Sequence, residues 1–145
     1  MARIFVPLAS PGFDPTEVAV PYTIWTAAGH DVVLATHDGR PPHPDLLMDK
    51  GACFGVIRVL EDARKRYEGM KSAGRFAHPV AWGSVDILGF DAVYVPGGHM
   101  TGMRALAWDA PLQEQVRRFW TQTERPFAAI CHGVLLPAEA GVLYG

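Results

Sequence analysis

Surplus positive charge is missing from this chain of 145 residues: 13 Lys and Arg face 15 Asp and Glu, for a formal net charge of −2. A protein that grips nucleic acid by neutralising phosphates carries a basic excess, so that class of partner is excluded. Long apolar runs are missing too. None approaches the roughly 20 residues that span a bilayer, and the opening run Ile4–Leu8 is too short for a signal-peptide core, so no membrane partner is expected. Cysteine is scarce. The two present, Cys53 and Cys131, cannot build a disulfide framework and fit a reducing cytoplasm. Charged residues are only 19% of the chain against 49% hydrophobic, which excludes disorder and supplies a core. Residues 1–145 are the size of one domain. His30, His37, His43 and His78 show no HExxH-type spacing, so they are assigned surface or loop roles, and neither a metal site nor a cofactor is expected.

What is present is an alternation of short apolar runs and amphipathic stretches. Ile4–Leu8 reads as a strand that breaks at Ser10-Pro11-Gly12. A helix follows with clear start signals: Asp14 at the N-cap, Pro15 in the first position, and Glu17 three residues beyond the cap. Val18, Pro21, Tyr22 and Trp25 give it an apolar face, and Gly29 ends it. Residues 31–36 read as a second strand and residues 40–50 as a loop. Val56, Val59, Leu60 and Ala63 mark one face of a charged helix over 56–67. Residues 71–84 look irregular. Residues 90–95 form a buried-type strand ending at Pro96-Gly97-Gly98, a helix begins near Asp109 or Ala110, and residues 126–130 are the last strand. Such alternation predicts an α/β fold with a parallel sheet, whose active site lies beyond the carboxyl ends of the strands. Residues 9–17, 96–102 and 131–133 all fall there.

Ala129-Ile130-Cys131-His132-Gly133 has the form small–x–nucleophile–x–small between a strand and a helix, the pattern of a nucleophile elbow with cysteine in place of serine. A turn this tight tolerates only small flanking residues and forces the nucleophile into strained backbone. A helix starting at Cys131 is expected to lower the thiol pKa. Cys53 has no comparable setting and is assigned a structural role. The Gly97-Gly98-His99 loop lacks the Gly-Lys-Ser/Thr of a P-loop. Beside an elbow cysteine it suits oxyanion stabilisation, with the Gly98 N–H paired with that of His132, and His99 could line the pocket. Glu17 has two readings. It could complete a capping box with Asp14, or face Cys131 from the mouth of the first strand and, when protonated, donate a hydrogen bond to a thiolate.

These segments together resemble the ThiJ/PfpI superfamily, whose fold is that of class I glutamine amidotransferase domains. The matching segments are Glu17 with Pro21, Gly29-His30-Asp31-Val32 with residues 35–39, residues 91–99 and residues 129–133. Trp82 and the Gly98-His99 pair make the chain most similar to the branch of heat-shock chaperones and glyoxalases. The resemblance implies a flavodoxin-like parallel sheet sandwiched by helices, Cys131 as nucleophile, His132 as base and Glu17 as the carboxyl facing the thiol. It also implies a longer C-terminal part carrying an acid that orients the histidine. Only 12 residues follow Gly133, and Glu139 lies too near in sequence to reach His132, so the chain is expected to lack the family's C-terminal segment.

Two functional classes follow. One is a cysteine enzyme: either a glyoxalase-like protein turning methylglyoxal into lactate through a Cys131 hemithioacetal, or an amidase or peptidase using the same oxyanion site. The other is a redox-responsive chaperone or stress protein whose cysteine is oxidised rather than turned over. The expected partners are a small-molecule substrate and a second copy of the chain in a homodimer, and the expected location is cytoplasmic.

Overall fold

The computed structural model describes residues 1–46 and 60–143. Among them, five parallel strands form one sheet in the order β3-β2-β1-β4-β5. The strands are β1 (Arg3–Pro7), β2 (Asp31–Thr36), β3 (Val80–Ala81), β4 (Ala92–Val95) and β5 (Phe127–Ala129). The fold is the flavodoxin-like α/β sandwich. In β1, alternate side chains enter opposite cores, as a strand's two-residue period requires. Ile4, Val6 and Leu8 pack with Val18, Ala19 and Tyr22 of α1 (Pro15–Ala27) and with Tyr67 and Met70 of α2 (Glu61–Lys71). Phe5, on the other face, joins Leu112, Val116 and Phe119 of α5 (Ala110–Gln122) and Met103 and Leu106 of α4 (Gly102–Ala107). A short α3 (Gly74–Ala77) lies before β3, and α6 (Leu135–Glu139) follows the turn after β5. No helix among the described residues is long and apolar enough to cross a membrane.

Local chemistry fixes the helix starts. Asp14 caps α1 by accepting from the N–H groups of Thr16 and Glu17 at 2.7 and 3.2 Å. Asp109 caps α5 through the Leu112 N–H at 2.8 Å. Each cap contributes about 1 kcal/mol.

Three expectations need correction. The charged helix begins at Glu61, and its buried side is Ala63, Tyr67 and Met70. Leu60 is not on that side; it sits just outside the helix and is exposed. Val56, Val59 and Cys53 lie outside the described residues. The stretch 71–84 is not wholly irregular, since it holds α3 and β3, the latter paired to β2 at Ala35–Val80 and Thr36–Ala81. Between the glycine loop and Asp109 an unforeseen helix, α4, buries Met103, Leu106 and Ala107.

Candidate active site

Cys131 stands two residues after β5 with φ +52°, the one non-glycine residue at positive φ among those described. Strain of this kind persists only where surroundings enforce it. Here the enforcement comes from Gly133, where a Cβ would stand 2.3 Å from the Val95 carbonyl oxygen and 2.8 Å from that of Pro96. Such contacts admit no side chain, so the chain after β5 presses onto the end of β4 and turns Cys131 outward into solvent.

Glu17 arrives from the first turn of α1 and reaches across to the glycine loop. Its carboxylate Oε2 accepts the Gly97 N–H at 2.7 Å. In return the Asp14 N–H donates to the Gly97 carbonyl at 2.8 Å. This corrects the capping-box reading, since the Asp14 N–H that Glu17 would have bonded is committed to Gly97. The other reading of Glu17 holds only in part: its side chain faces Cys131, but as a carboxylate that accepts from the thiol and holds its proton, not as a donor to a thiolate. Pro21 contributes in an unforeseen way. It has no N–H, so the Glu17 carbonyl lacks its helical partner four residues on. The Tyr94 hydroxyl of β4 donates to that carbonyl at 2.9 Å instead. Glu17 is thereby tied to β4 by its backbone and to the glycine loop by its side chain.

His132 Nδ1 lies 3.6 Å from Cys131 Sγ. Its ring meets that of His99 edge-on, with centroids 5.0 Å apart. His99 is held by a residue that the sequence did not single out. Fully buried Asp45 accepts the His99 N–H at 2.8 Å, and the same oxygen lies 3.0 Å from His99 Nδ1. Asp45 is itself placed by its N–H, which donates to the Phe13 carbonyl at 2.8 Å. In the sequence it is one more polar residue in a proline-rich loop, and only the folded contact between residues 13 and 45 reveals it.

The oxyanion expectation narrows. Gly97 and His99 spend their N–H groups on the carboxylates of Glu17 and Asp45. That leaves the Gly98 and His132 N–H groups, the pair named from the sequence. Gly98, at φ +155°, packs so closely on Gly12 that a Cβ would fall 1.7 Å from the Gly12 carbonyl oxygen. Beside His99 and His132 opens a cavity of about 540 Å³, lined also by Met100, Thr101, Arg104 and Trp108. That volume suits a small ligand.

The electrostatics differ from the expectation of a low-pKa thiol. Burial pushes the Cys131 thiol up, and the charges of Glu17 and Asp14 add to this, while the His132 N–H pulls the other way. The pattern of strand, turn and helix does not register the burial around the sulfur or the Glu17 carboxylate beside it. Burial also pushes the Glu17 carboxyl up, against the pull of the Gly97 N–H.

Comparison with known proteins finds relatives of this fold. One relative is the phosphoribosylformylglycinamidine synthase subunit PurQ of Thermus thermophilus, 39% identical over 89 residues, covering 59% of this chain and 37% of that protein. Among solved structures, glyoxalase III from Candida albicans superposes with a TM-score of 0.69 at 14% identity, covering 93% of this chain and 59% of that one. Oxidised DJ-1 of Toxoplasma gondii gives 0.66 at 22%, covering 100% and 64%. The chain thus spans little more than a third of the curated relative and about three fifths of these structures, and the structural likenesses establish the fold. Residues 8–142 match the family described as ThiJ/PfpI family-like, and the chain belongs to that family.

Proposed function

We propose that the chain is a cysteine-dependent enzyme acting on small reactive carbonyls, converting methylglyoxal to lactate. The observation that carries this is the strained, outward-turned Cys131 with an imidazole nitrogen 3.6 Å away, beside a cavity of about 540 Å³. The sulfur would add to the aldehyde carbon as His132 takes the thiol proton. That proton passes to the carbonyl oxygen, giving a hemithioacetal, with the Gly98 and His132 N–H groups bearing the developing negative charge. The freed imidazole would then remove a proton from the former aldehyde carbon, giving an enediol as the ketone oxygen is protonated, and return a proton to the adjacent carbon as the first hydroxyl loses its own. The resulting thioester yields to water, releasing lactate and the thiol. One carbon is oxidised as its neighbour is reduced, so methylglyoxal and water alone balance the reaction and no external oxidant is needed.

Supporting this class over an amidase is a pocket rim of His99, His132 and Arg104 around a small volume. The second class, a redox-responsive chaperone or stress protein, draws support from the exposure of Cys131. One experiment separates them: lactate formation from methylglyoxal by the wild type and by Cys131→Ala, alongside suppression of a client's aggregation. Turnover lost in Cys131→Ala supports the enzyme. Absence of turnover, with aggregation suppressed equally by both proteins, rejects it. We further propose a cytoplasmic location and a homodimer. β5 is an outer strand, and Ile130 and Trp120 beside it are 45% and 43% exposed.

A further inference from the structure

We propose that His99, Cys131 and His132 form a binding site for a thiophilic divalent cation of the zinc type, which masks the nucleophile when bound. One ligand atom from each residue lies within 4.8 Å of the others. With usual bond lengths of about 2.3 Å to sulfur and 2.0–2.1 Å to nitrogen, a tetrahedral centre sets sulfur and nitrogen about 3.6 Å apart. The Cys131 Sγ to His132 Nδ1 distance is already 3.6 Å. Two histidine nitrogens on such a centre lie about 3.4 Å apart, so the His132 and His99 rings close by an ångström or so. His132 is exposed, so no packed neighbour blocks a side-chain rotation of that size.

The surroundings supply what metal-ligating histidines ordinarily have. Asp45, fully buried, holds His99 Nδ1 at 3.0 Å and so leaves Nε2 as the donor atom. A carboxylate behind a histidine fixes its tautomer and strengthens it as a ligand. One thiolate and two neutral imidazoles suit zinc-type ions and disfavour magnesium or calcium, which require oxygen. With three protein ligands, the fourth position opens toward the cavity that His99 and His132 line. Sequence spacing could not show this, because residue 99 lies far from residues 131 and 132 and the fold alone joins them.

The test is direct binding to the reduced, full chain, read without reference to turnover. Cobalt(II) reports thiolate ligation by a near-ultraviolet charge-transfer band, and zinc(II) then displaces it. The expected result is one ion per chain, with the band abolished in Cys131→Ser. Affinity should fall at least tenfold in His99→Ala and in His132→Ala, and tenfold to a hundredfold in Asp45→Asn. Should Asp45→Asn fail to fold, the two histidine variants decide alone. No thiolate band, a band that survives Cys131→Ser, or binding indifferent to both histidine variants overturns the site. None of these results bears on methylglyoxal turnover, so the two proposals fail separately.

Discussion

Gly97→Ala is the substitution whose consequence follows most directly from the geometry. A Cβ at residue 97 would lie 2.8 Å from both the Cys131 Cβ and the His132 nitrogen, and 3.0 Å from Glu17 Oε2. Ordinary contact begins near 3.4 Å, so each neighbour must retreat by about half an ångström. They have little room. Cys131 and His132 are pinned by the contact of Gly133 with Val95, and Glu17 by its bonds to Gly97 and Tyr94. Overpacking of this kind costs about 1–3 kcal/mol. If the charged hydrogen bond from Gly97 to Glu17 also breaks, a further 1.5–3 kcal/mol or so is lost. The melting temperature should fall by about 3–5 °C for each kcal/mol, and Cys131 alkylation should change with it. Gly69→Ala is the control. Residue 69 lies within α2 with nothing in the way of a Cβ, so alanine should stabilise by about 0.5–1 kcal/mol. Wild-type melting and alkylation in Gly97→Ala would refute the described packing of loop, elbow and Glu17.

Other substitutions probe single links. Tyr94→Phe removes the donor to the Glu17 carbonyl and should cost about 1–3 kcal/mol in urea denaturation; no loss would mean that Pro21 leaves nothing to repair. Because burial raises the Glu17 carboxyl above its ordinary value near 4.5, the unfolded chain ionises first. This stabilising contribution is therefore complete at acid pH and is lost as pH rises through the folded value. Glu17→Gln should match the wild type below about pH 4 and gain stability relative to it as pH rises, checked by denaturation at several pH values. A relative loss on raising pH contradicts that sign. Light scattering at micromolar concentration should give a mass of two chains, and a monomer would rule out the homodimer.

Much of this site is legible in the sequence because its parts are local. Asp14-Pro15 and Asp109 announce helix starts through side chains that bond only two or three residues ahead. The elbow is legible because the Gly133 contact that makes it tight admits no other residue. What escaped is held by distant partners. Val80-Ala81 is a strand only because β2 lies alongside. Asp45 acquires its role from a buried contact with His99, 54 residues away. Pro21 looked like part of an apolar face, whereas its effect is to free a carbonyl for Tyr94. The thiol differs from its expectation for the same reason, since the strand-to-helix pattern shows neither the burial around the sulfur nor the charge of Glu17 beside it.

The proposed activity rests on Cys131 being a nucleophile assisted by His132. Time-resolved iodoacetamide labelling of the native protein at neutral pH, with peptide masses assigning label to Cys131 or Cys53, tests this most directly. Cys131 should label first, its lead should disappear in the unfolded chain, and His132→Ala should slow it towards the unfolded rate. Equal labelling of the two cysteines, earlier labelling of Cys53, or a His132→Ala protein as reactive as the wild type would contradict it.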